Sequence, residues 1–288
     1  MMCESGNINT LLKYGYEILK SKKIDSYVLD TQLLLGKAIN KDRLFIFING
    51  DHKVTEEETE KYYYYLELRE KKMPVKYILG QCEFMGLDFI VKPGVLIPRP
   101  DTEILVEQAL KEIKNNKFCN ICDLCCGTGA IGISLAQFIA YINVECCDIS
   151  DIACEVTMQN IKSHCLDERV HIVKSNLMEY FISNKIKFHM IISNPPYIKE
   201  DVIDTLMEDV KNYEPREALS GGKDGLEFYR KIAEESLKVL AKNGMIMLEI
   251  GYDQKEEVTN ILLQHGFKDI VCIKDLTGKN RVIKAMLQ

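Results

Sequence analysis

The residues best suited to chemistry are Asn194-Pro195-Pro196-Tyr197, which follow at once on a run of buried type, Met190-Ile191-Ile192-Ser193. Two consecutive prolines stiffen the chain and remove two backbone donors, leaving carbonyl acceptors at fixed orientation. Asn194 adds a side-chain oxygen. Two acceptors converging from one side suit a planar NH2 group, and Tyr197 offers a ring face to the same plane. The nitrogen of an amide or exocyclic amine is a poor nucleophile because its lone pair is conjugated. Holding both N–H bonds and aiming the nitrogen at an electrophilic methyl supplies approach geometry and charge stabilisation. An aromatic face also stabilises positive charge growing on that nitrogen. The tetrapeptide therefore points to methyl transfer.

A second constellation is Asp123-Leu124-Cys125-Cys126-Gly127-Thr128-Gly129-Ala130-Ile131-Gly132. Gly127, Gly129 and Gly132 satisfy G-x-G-x-x-G between a strand pattern and a helix pattern, and Asp148 ends the next strand pattern. Glycines let a cofactor approach the backbone, and a carboxylate at the end of the second strand accepts hydrogen bonds from ribose hydroxyls. This locates an adenosine site without separating a nicotinamide dinucleotide from S-adenosylmethionine.

These residues need a sheet to hold them. From residue 118 strand and helix patterns alternate, with strands expected over 120–125, 144–147, 170–173, 189–193, 245–250, 270–273 and 282–286. That order predicts a doubly wound α/β domain with a mostly parallel sheet. The short loop from Asp275 to Asn280 has no room for a crossover helix, so the last strand should run antiparallel. Before this, Phe84-Met85-Gly86-Leu87 reads as a hairpin turn. Asp101 or Thr102 is placed to cap the helix that follows. The first seventy or so residues read as short helices. Asp25 or Ser26 would cap one of them, and Thr55-Glu56-Glu57-Glu58 is a capping-box signature opening another. Tyr62 to Tyr65 splay around that helix, part core and part rim. Gly221 to Gly225 reads as a tight surface connection flanking the substrate.

The 288 residues are 47% hydrophobic and 28% charged, enough for a real core and too ordered in composition for general disorder. Net charge is −6, and all of it lies beyond residue 92, which argues against a protein held on nucleic acid by counterion release. The start carries no basic region followed by an apolar run, and no apolar stretch is long enough to cross a bilayer. Eleven cysteines scattered through apolar segments fit free thiols in a reducing compartment, so a cytoplasmic, non-membrane protein is expected. Cys119 and Cys122 fall on opposite strand faces with no histidine cluster beside them, so no metal is expected.

The two motifs together resemble the amino- and amide-methyltransferases. Three further stretches narrow the resemblance: Leu96-Ile97-Pro98-Arg99-Pro100-Asp101-Thr102-Glu103; Tyr213-Glu214-Pro215-Arg216 with Gly221-Gly222-Lys223-Asp224-Gly225; and Asp275-Leu276-Thr277-Gly278-Lys279-Asn280-Arg281. With the helical front segment, the whole chain resembles the peptide chain release factor glutamine methyltransferases, the HemK/PrmC family. The resemblance implies a helical substrate-docking domain (1–75), a β-hairpin linker (76–94) and a class I, Rossmann-like S-adenosylmethionine-dependent methyltransferase domain (95–288). It implies methyl transfer to the glutamine of the Gly-Gly-Gln motif of class I release factors, in support of translation termination, with S-adenosylhomocysteine as product. A monomer acting on a protein, with no nucleic acid, is expected.

By position, Asp123, Leu124, Cys125, Cys126, Gly127 and Gly129 would line the methionine end of the cofactor, and Asp148 the ribose. Asn176 and Leu177 would lie near the adenine. Asn194 would sit between cofactor and substrate and hold the glutamine amide with Pro195, while Pro196 and Tyr197 pack beside it. Two positions depart from the family pattern: Cys125 replaces a glycine, and Asn176 stands where an acidic residue is common. The Cβ of Cys125 is expected to bar the positive-φ backbone that glycine permits. A DNA or RNA amino-group methyltransferase using the same tetrapeptide is the alternative reading.

Overall fold

Residues 6–288 are described in a computed structural model, and they divide into two units, residues 6–81 with Glu208–Tyr213, and Cys82–Met207 with Glu214–Gln288. The first unit carries α1 (Ile8–Ser21), α2 (Tyr27–Ile39), α3 (Arg43–Ile48), α4 (Glu56–Glu70) and α5 (Val75–Leu79). Its core gathers Leu11, Leu19, Leu34, Leu35, Ile46 and Leu66 around Tyr62, whose hydroxyl donates to the Leu11 carbonyl. Tyr62 is buried and Tyr64 exposed, as consecutive helical positions require. Thr55 and Glu58 form the expected capping box. Ser26 does occupy the cap of α2 but makes no capping bond, because its hydroxyl donates to Asp30, which is paired in turn with Arg69.

The second unit opens with the hairpin β1 (Gln81–Phe84) and β2 (Leu87–Ile90), turning through Met85 and Gly86, both at positive φ. Then follow α6 (Pro100–Asn116), β3 (Asn120–Leu124), α7 (Ala130–Phe138), β4 (Asn143–Asp148), α8 (Asp151–Ser163), β5 (Val170–Lys174), α9 (Glu179–Ser183) and β6 (Phe188–Ser193). The short α10 (Glu200–Ile203), α11 (Glu208–Tyr213) and α12 (Arg216–Leu219) precede α13 (Glu227–Val239), β7 (Leu240–Glu249), α14 (Lys255–Gln264), β8 (Phe267–Lys274) and β9 (Asn280–Leu287). Of these, α11 belongs to the first unit.

The seven expected strands form one sheet in the order β5-β4-β3-β6-β7-β9-β8. The pairs from β5 to β7 are parallel, and β9 runs antiparallel to both β7 and β8. Strand alternation sends Ile121, Met190, Ile192 and Met247 into a core under α6, α7 and α8. The intervening Cys122, Ile191, Ile246 and Leu248 enter a second core under α9, α13 and α14. Cys122, Cys126, Cys146 and Cys147 are buried in these cores as small apolar side chains. Among the described residues no helix is long and apolar enough to cross a membrane.

The sheet order turns back at β3, with β4 on one side and β6 on the other. In open parallel sheets ligands sit beyond the carboxyl ends of the strands at this switch point. The ends of β3, β4 and β6 are the glycine turn, Asp148 and Asn194. Topology thus brings the two sequence constellations to one place.

Candidate active site

A cavity of about 720 Å³ lies over these strand ends. One wall is the turn from Leu124 to Thr128, another is Cys147 to Asp151, and Ser175 to Leu177 closes the third side. Asn194 and Pro196 form the floor, while Arg99 and Thr102 come from the start of α6. The size suits a nucleoside cofactor with a substrate side chain.

Two buried side chains of α8 shape the glycine turn. Thr157 donates to the Gly127 carbonyl (3.1 Å) and Asn160 to the Thr128 carbonyl (2.9 Å). Asn160 also holds both backbone groups of Ile90, which anchors the hairpin to the same unit. A Cβ added at Gly127 would meet nothing within 4 Å, so the turn presents bare backbone there. Asp148 is half-buried at the cavity wall and accepts from the amides of Gly127 (2.9 Å) and Ser150 (3.0 Å). Burial raises its pKa against those two bonds and a further one from the Ile149 amide.

Cys125 departs from expectation. Its φ is +57°, so the Cβ does not bar the left-handed conformation. The following residues hold it there: the Cys126 amide donates to the Cys147 carbonyl (3.0 Å) and the Gly127 amide to Asp148. A non-glycine residue in that region costs roughly 1–2 kcal/mol, a cost the surrounding bonds must outweigh.

Asp123 stands behind the turn and takes no part in the cavity wall, and neither does Gly129. The Asp123 side chain is fully buried, with Oδ2 accepting from the Gly132 amide (2.8 Å) and Oδ1 left without a partner. Burial pushes its carboxyl up to about 7, opposed by the Gly132 bond. The folded chain therefore keeps a proton here that the unfolded chain releases near pH 4, and stability falls as pH rises from there to about 7. In urea unfolding, Asp123→Asn should gain about 2 kcal/mol relative to the unsubstituted chain between pH 5 and pH 7. A difference that does not change with pH would contradict this.

Leu177 is buried in the cavity wall, and Asn176 is exposed at its rim. The Asn176 Nδ2 donates to Glu179 (2.7 Å), which turns its Oδ1 away as a free acceptor.

On the floor, Asn194 donates from Nδ2 to Thr102 Oγ1 (3.2 Å). Pro195 is buried, and neither it nor Tyr197 contributes to the cavity lining. The Tyr197 hydroxyl donates to Glu249 (3.2 Å), and its backbone carbonyl accepts from Gln254 (3.0 Å). Burial, with the Glu249 charge beside it, raises the Tyr197 pKa, so the phenol stays protonated.

Two sequence expectations are corrected here. Neither Asp101 nor Thr102 caps α6, which starts at Pro100, because the Thr102 hydroxyl is committed to Glu249 (2.6 Å). Nor is Gly221 to Gly225 simply a surface connection: Gly221, Gly222 and Gly225 are buried and only Lys223 and Asp224 face out. A Cβ at Gly221 would lie 2.7 Å from the Tyr197 Cα, and one at Gly225 2.6 Å from the Tyr197 carbonyl. The loop is glycine-rich because it packs directly on the backbone of the tetrapeptide. Sequence reading missed Thr157, Asn160, Glu249 and Gln254. The one available signal was polar residues within otherwise apolar helix and strand patterns.

Residues 10–80 match the PrmC N-terminal domain family, and residues 99–213 match the methyltransferase small domain family. The chain is 57% identical to the release factor glutamine methyltransferase of Clostridium botulinum, over 96% of this chain and 98% of that one. It is 46% identical to the enzyme of the same name from Clostridium acetobutylicum, over 97% and 98%. Among solved structures, a methyltransferase from Pyrococcus furiosus shares the fold at a TM-score of 0.51 and 21% identity, covering 73% of this chain and 93% of that one. The match in sequence extends through the glycine turn, the Asn-Pro-Pro-Tyr floor and the helical front alike, and this chain belongs to the release factor glutamine methyltransferase family.

Proposed function

We propose that this protein transfers a methyl group from S-adenosylmethionine to the side-chain amide nitrogen of the glutamine in the Gly-Gly-Gln motif of a class I release factor. The carrying observation is Asn194 in the cavity lining with its NH2 held by Thr102, which leaves its oxygen as the group that would accept from a substrate. That acceptor would take one N–H bond of the glutamine amide beside Pro196; the Pro195 carbonyl would take the other, with Tyr197 alongside, once the substrate reaches past the present lining, from which both are absent. Fixing both bonds aims the nitrogen and stabilises the charge it gains.

The donor set fits the cofactor. The bare backbone at Gly127, with Leu124, Cys125 and Cys126, would take the methionine end, Asp148 the ribose hydroxyls, and Asn176 with Leu177 the adenine. Asp123 and Gly129 would act from behind by shaping the turn. S-adenosylmethionine would supply a methyl on a sulfonium, leaving the neutral thioether S-adenosylhomocysteine, while the methylated amide nitrogen gives up one of its N–H protons to solvent. No metal or covalent protein intermediate enters this scheme.

Mass spectrometry of unmodified release factor after incubation with enzyme and S-adenosylmethionine tests the reading, with DNA and RNA acceptors alongside. One methyl on the Gly-Gly-Gln glutamine is expected. Methyl on a nucleobase would replace the substrate and keep the site.

The helical segment (1–75) would dock the release factor, with residues 76–94 leading to the catalytic domain (95–288). Support comes from α3, where Leu44 (66%), Phe47 (83%) and Ile48 (66%) are exposed. Apolar side chains grouped in this way mark interaction surfaces. Leu44→Asp with Phe47→Asp should raise KM for whole release factor about tenfold and leave KM for a short Gly-Gly-Gln peptide unchanged. Equal change for both acceptors would remove the docking role. A monomer working in the cytoplasm completes the reading.

A further inference from the structure

Behind the cavity floor, four side chains from three separate segments meet. Thr102 Oγ1 lies 2.6 Å from Glu249 Oε2, and Asn194 Nδ2 lies 3.2 Å from Thr102 Oγ1. The Tyr197 hydroxyl lies 3.2 Å from the other Glu249 oxygen. Glu249 is 1% exposed and Thr102 5%, and these contacts are direct.

Proton counting gives this chain a direction. A carboxylate only accepts, and a hydroxyl has one proton. With Glu249 ionised, Thr102 gives its proton to Glu249 and can only accept from Asn194. The Asn194 NH2 is thereby drawn inward and its oxygen turned to the cavity. A proton on Glu249 reverses the chain: Glu249 donates to Thr102, Thr102 donates to the Asn194 oxygen, and the NH2 group faces the substrate NH2.

We propose that Glu249 is a positioning residue that sets, through Thr102, which way the Asn194 side-chain amide points. Glu249 touches no substrate in this account, and the inference rests on Asn194 being the acceptor for the amide nitrogen. Tyr197 is secured by the same carboxylate, so both ends of the tetrapeptide answer to one group.

The groups facing Glu249 are Thr102 and Asp101 on α6, Tyr197 after β6, Tyr229 on α13, and Arg281 on β9 with its partner Asp275. Burial lifts the Glu249 carboxyl to about 7, opposed by Thr102, Arg281 and Tyr197 and aided by Asp101. Turnover should therefore decline as pH falls below about 7, while cofactor affinity stays level.

The test uses full-length enzyme with S-adenosylmethionine and release factor, and reads kcat, KM and cofactor Kd from pH 6 to 9. Thr102→Val should lower kcat ten- to a hundredfold with KM and Kd within threefold, and Thr102→Ser should restore kcat to within threefold. Glu249→Gln should abolish the acid decline. An independent reading is the Asn194 side-chain NH2 signal in NMR of the free protein, identified by its loss in Asn194→Asp. Its protection from exchange should vanish in Thr102→Val. Unchanged kcat in Thr102→Val, parallel loss of cofactor affinity, an intact acid decline in Glu249→Gln, or unaltered Asn194 protection would each overturn the proposal. Transfer to a nucleobase would overturn the substrate reading alone, because the NMR result and the kcat split with that acceptor still decide the role of Glu249.

Discussion

Asn194→Ala is expected to lower kcat for release factor methylation by about 10²–10³-fold, with cofactor Kd within about threefold. The size follows from what the side chain does in the proposed reaction. Its oxygen accepts from an amide nitrogen that becomes positive as the methyl arrives, so the bond strengthens in the transition state. A bond of that kind acts on kcat more than on binding. The loss should spare the fold, because Asn194 is only half-buried and its one described side-chain bond is to Thr102. Isothermal calorimetry with cofactor and steady-state kinetics with release factor separate the two effects. Equal loss of both would show that Asn194 holds the cofactor and not the substrate amide.

The opposite split is expected for Asp148→Ala. Its two oxygens already accept from the Gly127 and Ser150 amides, at 2.9 and 3.0 Å. A carboxylate has about four acceptor sites, so capacity remains for ribose hydroxyls. Removing it loses those bonds and leaves two turn amides unpaired. Bonds to a charged group contribute about 1.5–3 kcal/mol each, and a net loss of about 2–3 kcal/mol weakens cofactor binding roughly thirty- to a hundredfold. With cofactor saturating, kcat should stay within about tenfold. An unchanged Kd would take the ribose role away from Asp148.

The contrast between these residues and Asp123 shows how far spacing carries. Asp123 lies one residue before the end of β3 and Asp148 ends β4, and sequence position assigns both to the cofactor, Asp123 to its methionine end and Asp148 to its ribose. Depth along the sheet separates them: Asp123 pairs with Cys146, two residues short of Asp148 on the same face, and is bonded to Gly132 in α7, while Asp148 remains at the cavity wall. Cys125 makes a related point about the backbone. The Cβ of Cys125 disfavours positive φ, yet hydrogen bonds through Cys126 and Gly127 hold it there.

Taken alone, the sequence determined the seven-strand order of alternation, the antiparallel last strand, the glycine turn, the tetrapeptide and the helical front, because each is written in local periodicity or in adjacent residues. Tertiary structure decided which polar groups meet. Thr102, Asn194 and Glu249 stand far apart in the chain, and no local pattern couples them. Only the β3–β6–β7 pairing and the seating of α6 bring them within hydrogen-bond range. The Gly221–Gly225 loop has the same explanation: its composition looks like a turn, and its reason is the backbone of Tyr197 lying against it. Local rules fix where the chain bends and which faces are apolar. The direction in which a buried polar group donates is set by neighbours that only the folded chain supplies.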